Sequence, residues 1–294
     1  MKKIFSILAV ATLLMVGCEK GEGTSVVNPD EIRFETSIAT RVAGTAFEEG
    51  DTFGLYAVEY DGDVVADLQV GGNYLNNEAV TLTGGIWKPA RTLYWSANPC
   101  DFYAVYPYQP DVKSGDTYLF DIATDQSAPE SEGALSGYEA ADLLWAKAKK
   151  HSREDGAVNL QFKHMMSKVV VKLVKGEKYE GELPEDIVTH IYNTVTTAKA
   201  DFTHGSLERY EFGEKRTITM RQTAPDTFEA IVVPQHIERR TPLVEITMEG
   251  IAYLLNYSVS FRPGYQHTIT VTLNTSPEQE KIEINIDGAI DDWQ

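Results

Sequence analysis

The sequence predicts an all-β protein built from antiparallel β-sandwiches. Beyond residue 30, apolar and polar residues alternate with a period of two, which is typical of half-buried strands. Strand candidates rich in Val, Ile, Tyr, Phe and Thr recur along the chain, with turn signals between them. Amphipathic helices of three turns are nearly absent, and glycine interrupts the best helix candidate, residues 131–141. Together these observations favour sandwiches over folds that need helices.

The first element is predicted to be a signal peptide, residues 1–18. Two lysines precede an apolar run over residues 4–16, which is too short to span a membrane and fits the core of a secretory signal. The run ends in Leu-Met-Val-Gly-Cys, which resembles the bacterial lipoprotein signal, whose cysteine is acylated and becomes the new N-terminus. The resemblance makes Cys18 the lipidation site. The alternative is an ordinary secretory signal with an accidental cysteine.

The next segment, residues 19–30, is small, polar and partly acidic, and it predicts a flexible tether. Its acidic residues, placed directly after Cys18, resemble the surface-export signals of some outer-membrane lipoproteins. We therefore expect the protein at the cell outer membrane and on the cell surface.

The remaining chain is predicted to form two domains. A polar segment, residues 147–156, contains no large apolar residue and is interpreted as a linker between two similar sets of strands. We expect an N-terminal β-sandwich domain over residues 31–153 and a C-terminal one over residues 154–294. A strand candidate at residues 160–174 then opens the second sandwich, with His164 packed on it.

Composition and motifs argue against an enzyme, a metal protein or a nucleic-acid binder. The 26 Lys and Arg residues face 44 Asp and Glu residues, and the net charge of −18 opposes binding to phosphate backbones. The six histidines lack ligand spacing, and the chain has no nucleophile elbow, phosphate loop or dinucleotide fingerprint. Carboxylate clusters such as Asp291-Asp292 are interpreted as solvated loop charge. We expect no catalytic, cofactor-binding or metal-binding residues.

Aromatic residues leave two interpretations open. They fill the interior between two sheets, or they form a platform on which the apolar face of a sugar stacks. Core packing is favoured, because these residues cluster within strands. A glycan site would be tested by Trp87→Ala. The aromatic set comprises Trp87, Tyr94, Trp95, Tyr103, Tyr106 and Tyr108.

A series of different short motifs lies between residues 40 and 265. The first is RVAGTAF followed by GDTFGLY, at residues 41–56. The later motifs are LYWS at 93–96, DFYAVYPY at 101–108, DLLWA at 142–146, LQFKHMMSK at 160–168, VVPQ at 232–235 and FRPGY at 261–265. In this order and over this length they resemble the fimbrillin family, the subunits of type V pili.

The resemblance implies two tandem transthyretin-like β-sandwiches that assemble by strand exchange. In that family an arginine-specific protease removes the N-terminal strand, and a strand from another subunit fills the groove. Here cleavage would fall between Arg41 and Val42. The removable strand would carry Ile32, Phe34, Thr36 and Ile38, and the candidate donor strand would carry Ile282, Ile284 and Ile286. An unpaired edge and an alternating segment are what such β-augmentation requires.

The resulting expectation is a structural subunit of a cell-surface fimbria, exported as a lipoprotein. Its partners would be other fimbrial subunits, the outer membrane through its lipid, a maturation protease, and a host or glycan ligand. One alternative is a permanently lipid-anchored base or accessory subunit, and another is a surface adhesin that binds glycan or host protein. Arg41 could instead be a surface arginine in a turn. The last strand could pair within its own domain, with Trp293 covering that domain's end.

Overall fold

The computed structural model describes residues 28–38, 46–112, 117–238, 240–274 and 284–293. Within them the chain is nearly all β, which confirms the predicted fold class. The helix candidate at residues 131–141 contains only one turn, α1 (Gly137–Ala140), whose N-terminus is closed by a capping box between Ser136 and Glu139. A 3-10 turn covers Arg153–Asp155. Among the described residues no helix is long and apolar enough to cross a membrane.

The strands take most of the described chain. In chain order they are β1 (Phe34–Ile38), β2 (Thr52–Asp61), β3 (Val64–Val65), β4 (Leu75–Thr83), β5 (Ile86–Pro89), β6 (Cys100–Tyr106), β7 (Tyr118–Asp121), β8 (Leu144–His151), β9 (Val158–His164), β10 (Ser167–Lys175), β11 (Val188–Val195), β12 (Thr197–Asp201), β13 (Ser206–Arg209), β14 (Lys215–Thr219), β15 (Arg221–Ala224), β16 (Thr227–Val232), β17 (His236–Ile237), β18 (Pro242–Met248), β19 (Ile251–Asn256), β20 (Val259–Ser260), β21 (Tyr265–Leu273) and β22 (Ile284–Asp292).

The first sheet has the order β1-β9-β8-β6-β2-β4-β5, with β3 paired to β2. All its neighbours are antiparallel except β1 and β9, which run parallel. The central strand β6 is buried along its whole length, because both faces of the sheet are covered at that point. One face is lined by an apolar cluster that includes Phe53, Phe102 and Phe162.

The other face of this sheet joins the C-terminal half of the chain. Tyr103 and Trp145 on that face share one buried cluster with Phe120 and Phe202. The Trp145 indole donates a hydrogen bond to the backbone oxygen of Phe202 at 2.7 Å. A small sheet of order β13-β12-β7 lies at this contact, and its strand β7 comes from the N-terminal half.

Two larger sheets make up the rest of the C-terminal half. Their orders are β15-β16-β10-β21-β22 and β14-β11-β18-β19, and β10 runs parallel to β21. Alternate residues of β21, including Ile269, Val271 and Leu273, are buried as the period of two predicts. They share a cluster with Ile191 and Val244 of the second sheet, so the two sheets enclose a common core.

The linker interpretation of residues 147–156 is wrong for its first half, because residues 147–151 continue β8. The ammonium group of Lys147 lies 2.9 Å from a carboxylate oxygen of Asp101, which is buried on the neighbouring strand β6. This ion pair allows the polar residues of this segment to continue β8 within the first sheet. The division of the chain at residues 153/154 into two domains stays a prediction.

The strand candidate at residues 160–174 is interrupted at Met165 and Met166. Its first part is the end of β9 in the first sheet, and its second part is β10 in a different sheet. His164 therefore lies on β9, next to β8, rather than on the first strand of a second sandwich. The crossover between the two sheets starts directly after it.

Candidate functional site

The N-terminal strand β1 is an edge strand held by one neighbour. Its register on β9 runs in parallel from Phe34 opposite Val158 to Ile38 opposite Phe162. Phe34 is buried, Thr36 and Ile38 are half-buried, and the residues between them are exposed. Ile32, just before the strand, is buried as well. The residues predicted for a removable strand thus share the face that points into the core.

Beyond the pairing with β9, polar contacts tie β1 and the residue before Arg33 to other strands and loops of the N-terminal half. The backbone N–H of Ile32 donates to the carbonyl of Leu93 at 2.9 Å, and the indole of Trp87 on β5 donates to the hydroxyl of Thr36 at 2.8 Å. The bond between Trp87 and Thr36 joins the two end strands of the first sheet. The sheet is therefore curled so that β5 lies next to β1. Phe34 adds an edge-on contact with Phe53, with ring centroids 6.2 Å apart.

A groove of about 570 Å³ lies where β1 and β5 face each other. Its walls include Phe34, Ile38, Phe47, Ile86 and Trp87. Ile86 is 64% exposed, so the groove opens to solvent across an apolar rim. An edge with free backbone groups beside apolar pockets is the geometry that accepts an added strand.

The C-terminal strand β22 is also an edge strand. It pairs antiparallel with β21, from Ile284 opposite Leu273 to Asp292 opposite Tyr265. Ile286 is half-buried and packs against the large core, whereas residues 287–292 are exposed. The final strand therefore pairs within its own chain here, which was one of the two alternatives for it.

Trp293 fixes the end of this strand. It is 6% exposed and its ring stacks on His164, with centroids 3.8 Å apart and planes at 17°. Its backbone N–H donates to the carbonyl of Gly264 at 3.0 Å. Asp142 holds the His164 ring in place, because its carboxylate oxygen lies 2.9 Å from Nδ1 of His164. Trp293 thus covers its own chain.

Three of the sequence motifs meet at this point. Gly264 of FRPGY donates its N–H to the carbonyl of Met166 at 2.7 Å, and Met165 donates its own N–H to Leu143 of DLLWA at 2.9 Å. The hydroxyl of Ser167 donates to the carbonyl of Arg262 at 2.5 Å. We call this meeting point, formed by residues 142–143, 164–167, 262–264 and 293, the crossover node. Sequence reasoning missed it because the three motifs lie far apart along the chain.

A charged network that sequence reasoning also missed lies on the strands next to the node. The carboxylate oxygens of Glu229 form ion pairs with Nζ of Lys168 at 2.9 Å and with a guanidinium nitrogen of Arg221 at 3.1 Å. The Arg221 guanidinium also lies 3.7 Å above the ring of Tyr138. Burial, together with the charge of Glu229, raises the pKa of the Tyr138 phenol well above its usual value. This arrangement keeps the phenol neutral and pairs Glu229 with two cations, which is a structural role.

Several predicted site residues are outside this description. Cys18, Arg41, Val42 and Ile282 lie outside the described residues. In the described ranges, no group of three or more His, Cys, Asp or Glu side chains could hold a metal ion.

The aromatic set does not form one surface. Trp87, Tyr103 and Tyr106 are buried, whereas Tyr94 is exposed. This distribution favours the core-packing interpretation.

Comparison with known proteins gives one family and several related structures. The family model described as fimbrillin-like matches residues 40–293. A relative from Bacteroides uniformis, named "Putative fimbrium subunit Fim1C", is 25% identical over 312 residues, which cover 100% of this chain and 96% of the relative.

Two solved structures share the fold. A "putative cell adhesion protein" from Bacteroides ovatus has a TM-score of 0.67 at 18% identity, covering 90% of this chain and 98% of that one. Another from Bacteroides uniformis has a TM-score of 0.63 at 21% identity, covering 84% and 93%. None of these proteins is described as an enzyme.

Proposed function

The chain belongs to the fimbrillin-like family, and from this premise we propose that it is a structural subunit of a cell-surface fimbria. It is exported as a lipoprotein that is acylated at Cys18. It is then cleaved after Arg41 and assembled by β-strand exchange. Its partners are other fimbrial subunits, the maturation protease and, through the lipid, the outer membrane.

The observation that carries the proposal is the position of β1. It lies at a sheet edge, pairs with β9 alone, and ends at Ile38, three residues before the proposed cleavage at Arg41. A cut there separates the strand from every later element of the fold. Loss of the strand leaves a row of unpaired backbone groups on β9 and empties the pockets of Ile32 and Phe34.

The energetics favour refilling this edge. Burying one large apolar side chain contributes about 1.5–3 kcal/mol, so two vacated pockets offer a driving force of several kcal/mol to an alternating strand. The C-terminal strand has the matching pattern, because its candidate donor residues Ile282, Ile284 and Ile286 alternate with Glu283 and Asn285. A subunit that loses β1 and supplies β22 to its neighbour can extend a polymer.

The test is the intact mass and N-terminal sequence of the protein taken from fimbriae of its native cells. We expect a chain that begins at Val42 and carries no lipid. An Arg41→Ala variant should retain β1 and be absent from fimbriae. The matched control is Arg33→Ala, which changes an exposed arginine just before β1 and should leave maturation intact.

Two results would contradict the proposal. A fimbria-associated chain that begins at an acylated Cys18 would make the protein a permanently anchored subunit. Incorporation of the Arg41→Ala variant at the normal level would show that assembly does not need removal of the strand.

A further inference from the structure

The strand β9 contacts both termini of the described fold. Its core-facing residues are Val158, Leu160, Phe162 and His164, and all four are buried. The first three lie opposite Phe34, Thr36 and Ile38 of β1 in the parallel register. The fourth carries the stacked ring of Trp293. One row of side chains on one strand therefore supports the N-terminal strand and the end of the C-terminal strand.

Trp293 is the main side-chain anchor of β22 among the residues whose burial is described. Residues 287–292 are exposed, and Ile286 is only half-buried. One other close contact is the hydroxyl of Tyr257, which lies so near Gly288 that any side chain there would collide with it. The backbone of the strand also pairs with β21 from Ile284 to Asp292. A change that weakens the Trp293 stack should therefore loosen β22.

The partner ring of that stack is fixed from β9 and from the segment before β8. The His164 side chain is 1% exposed, its Nδ1 is bonded to Asp142, and its Nε2 has no partner in the described structure. Its orientation depends on the backbone of β9, which pairs with β8 on one side at Leu144 and with β1 on the other at Phe162. Without β1, β9 becomes the edge strand of the first sheet, and edge strands open more readily than enclosed ones.

We infer that β9 couples the two terminal strands: loss of β1 weakens the stack of Trp293 on His164 and so releases β22. This inference rests on the proposed strand exchange for its purpose. A subunit with an intact β1 keeps its own C-terminal strand, and maturation frees that strand for donation. By linkage the coupling is reciprocal, so release of Trp293 also loosens β1 on β9.

The coupling can be measured by amide hydrogen exchange on the full, uncleaved chain. Trp293→Ala should accelerate exchange within β22 and, beyond it, in β1 and β9. Phe34→Ala, at the other end of the same row, should accelerate exchange in β22. Coupling between two sites in a protein typically changes an equilibrium by about 5–150-fold, so we expect an acceleration in that range in the distant strand.

Two matched controls separate coupling from general loosening. Ile290→Ala changes an exposed residue of β22, and Ser37→Ala changes an exposed residue of β1. Neither should alter exchange in the other terminal strand. Exchange in β11, which pairs with neither strand, serves as the internal standard and should stay at the wild-type rate.

The decisive comparison uses the His164→Ala background. If the signal passes through the stack, adding Trp293→Ala there should produce no further acceleration in β1. An unchanged rate in β1 after Trp293→Ala in the wild-type background would overturn the inference. An equal acceleration in both backgrounds would overturn it as well.

Failure of this inference differs from failure of the proposed function. If Trp293→Ala leaves β1 unaffected while native fimbriae still contain chains that begin at Val42, strand exchange stands without the coupling. If the exchange data show coupling while fimbriae contain the uncleaved chain, the coupling is a property of a fold that does not mature.

Discussion

His267 makes the stability of this fold depend on pH at the level of one side chain. The residue is 1% exposed, and its Nε2 accepts a hydrogen bond from the backbone N–H of Arg262 at 3.0 Å. Burial and, secondarily, the charge of Arg262 lower its pKa to about 4. The neutral ring is therefore the form that the folded state requires.

The sign of the effect follows from proton binding. In the unfolded chain His267 takes up a proton below about pH 6.5, whereas the folded protein resists this until about pH 4. Stability therefore falls as the pH decreases through that window, by at most roughly 3 kcal/mol from this residue.

We predict that His267→Gln flattens the loss of unfolding free energy between pH 6.5 and pH 4, since glutamine can still accept the Arg262 N–H. Urea unfolding at several pH values measures this difference from wild type. His236→Gln removes an exposed histidine and should leave the wild-type slope. A wild-type slope in the His267 variant would contradict the buried-neutral assignment.

Single residues also show where sequence reasoning ends. The spacing of the six histidines predicts that they do not form a metal-ligand set, and this stays a prediction. The stack between His164 and Trp293 could not be predicted, because it joins positions 129 residues apart. Neither position has a local pattern that indicates its partner.

At the scale of elements, the closure of β5 onto β1 depends on Trp87. Its indole bonds to Thr36, and its ring contacts Phe53 and Phe47 with centroids 4.8 and 5.1 Å apart. Because the Trp87 ring is buried against these side chains, it is not available to stack on a sugar in solvent. The Trp87→Ala test suggested by the sequence would therefore report folding rather than glycan binding.

We predict that Trp87→Ala lowers the free energy of unfolding by about 3–5 kcal/mol, as expected for removing a buried large aromatic side chain. Its neighbour Ile86 is 64% exposed, and Ile86→Ala should change stability by no more than about 0.5 kcal/mol. Chemical denaturation of both variants measures the contrast. Equal effects from the two substitutions would mean that Trp87 is not part of the core.

Alternating strands were predictable, whereas a polar strand was not. The period of two correctly indicated β1 and β21, because alternate residues of each strand are buried or half-buried, and it indicated the first part of β22, which extends further, to Asp292. The polar end of β8 has the sequence of a linker but continues the strand, where Lys147 pairs with Asp101 on β6. Such a cross-strand pair compensates for missing apolar residues, and its partner is 46 positions away.

At the scale of the whole molecule, the two halves of the chain share structure that composition does not reveal. The β7 strand from the N-terminal half pairs with β12 from the C-terminal half. The β9 strand, which follows the predicted division at 153/154, pairs with β8 and β1. The largest buried cluster combines Tyr103 and Trp145 with Phe202 and core residues of both later sheets. Neither half encloses that cluster alone.

We therefore predict that the two proposed domains unfold as one cooperative unit. Scanning calorimetry of the full chain should give a single transition whose calorimetric enthalpy equals its van't Hoff enthalpy. Phe202→Ala should shift that one transition down by on the order of 10 °C, because it opens a cavity in the shared cluster. Phe212→Ala, at a position that is 78% exposed, is the matched control and should leave the midpoint unchanged. Two resolved transitions, of which Phe202→Ala moves only one, would instead mean that each half keeps a core of its own. Strand exchange at β9 would then change the stability of the first half only, whereas with a shared core it changes the stability of both halves.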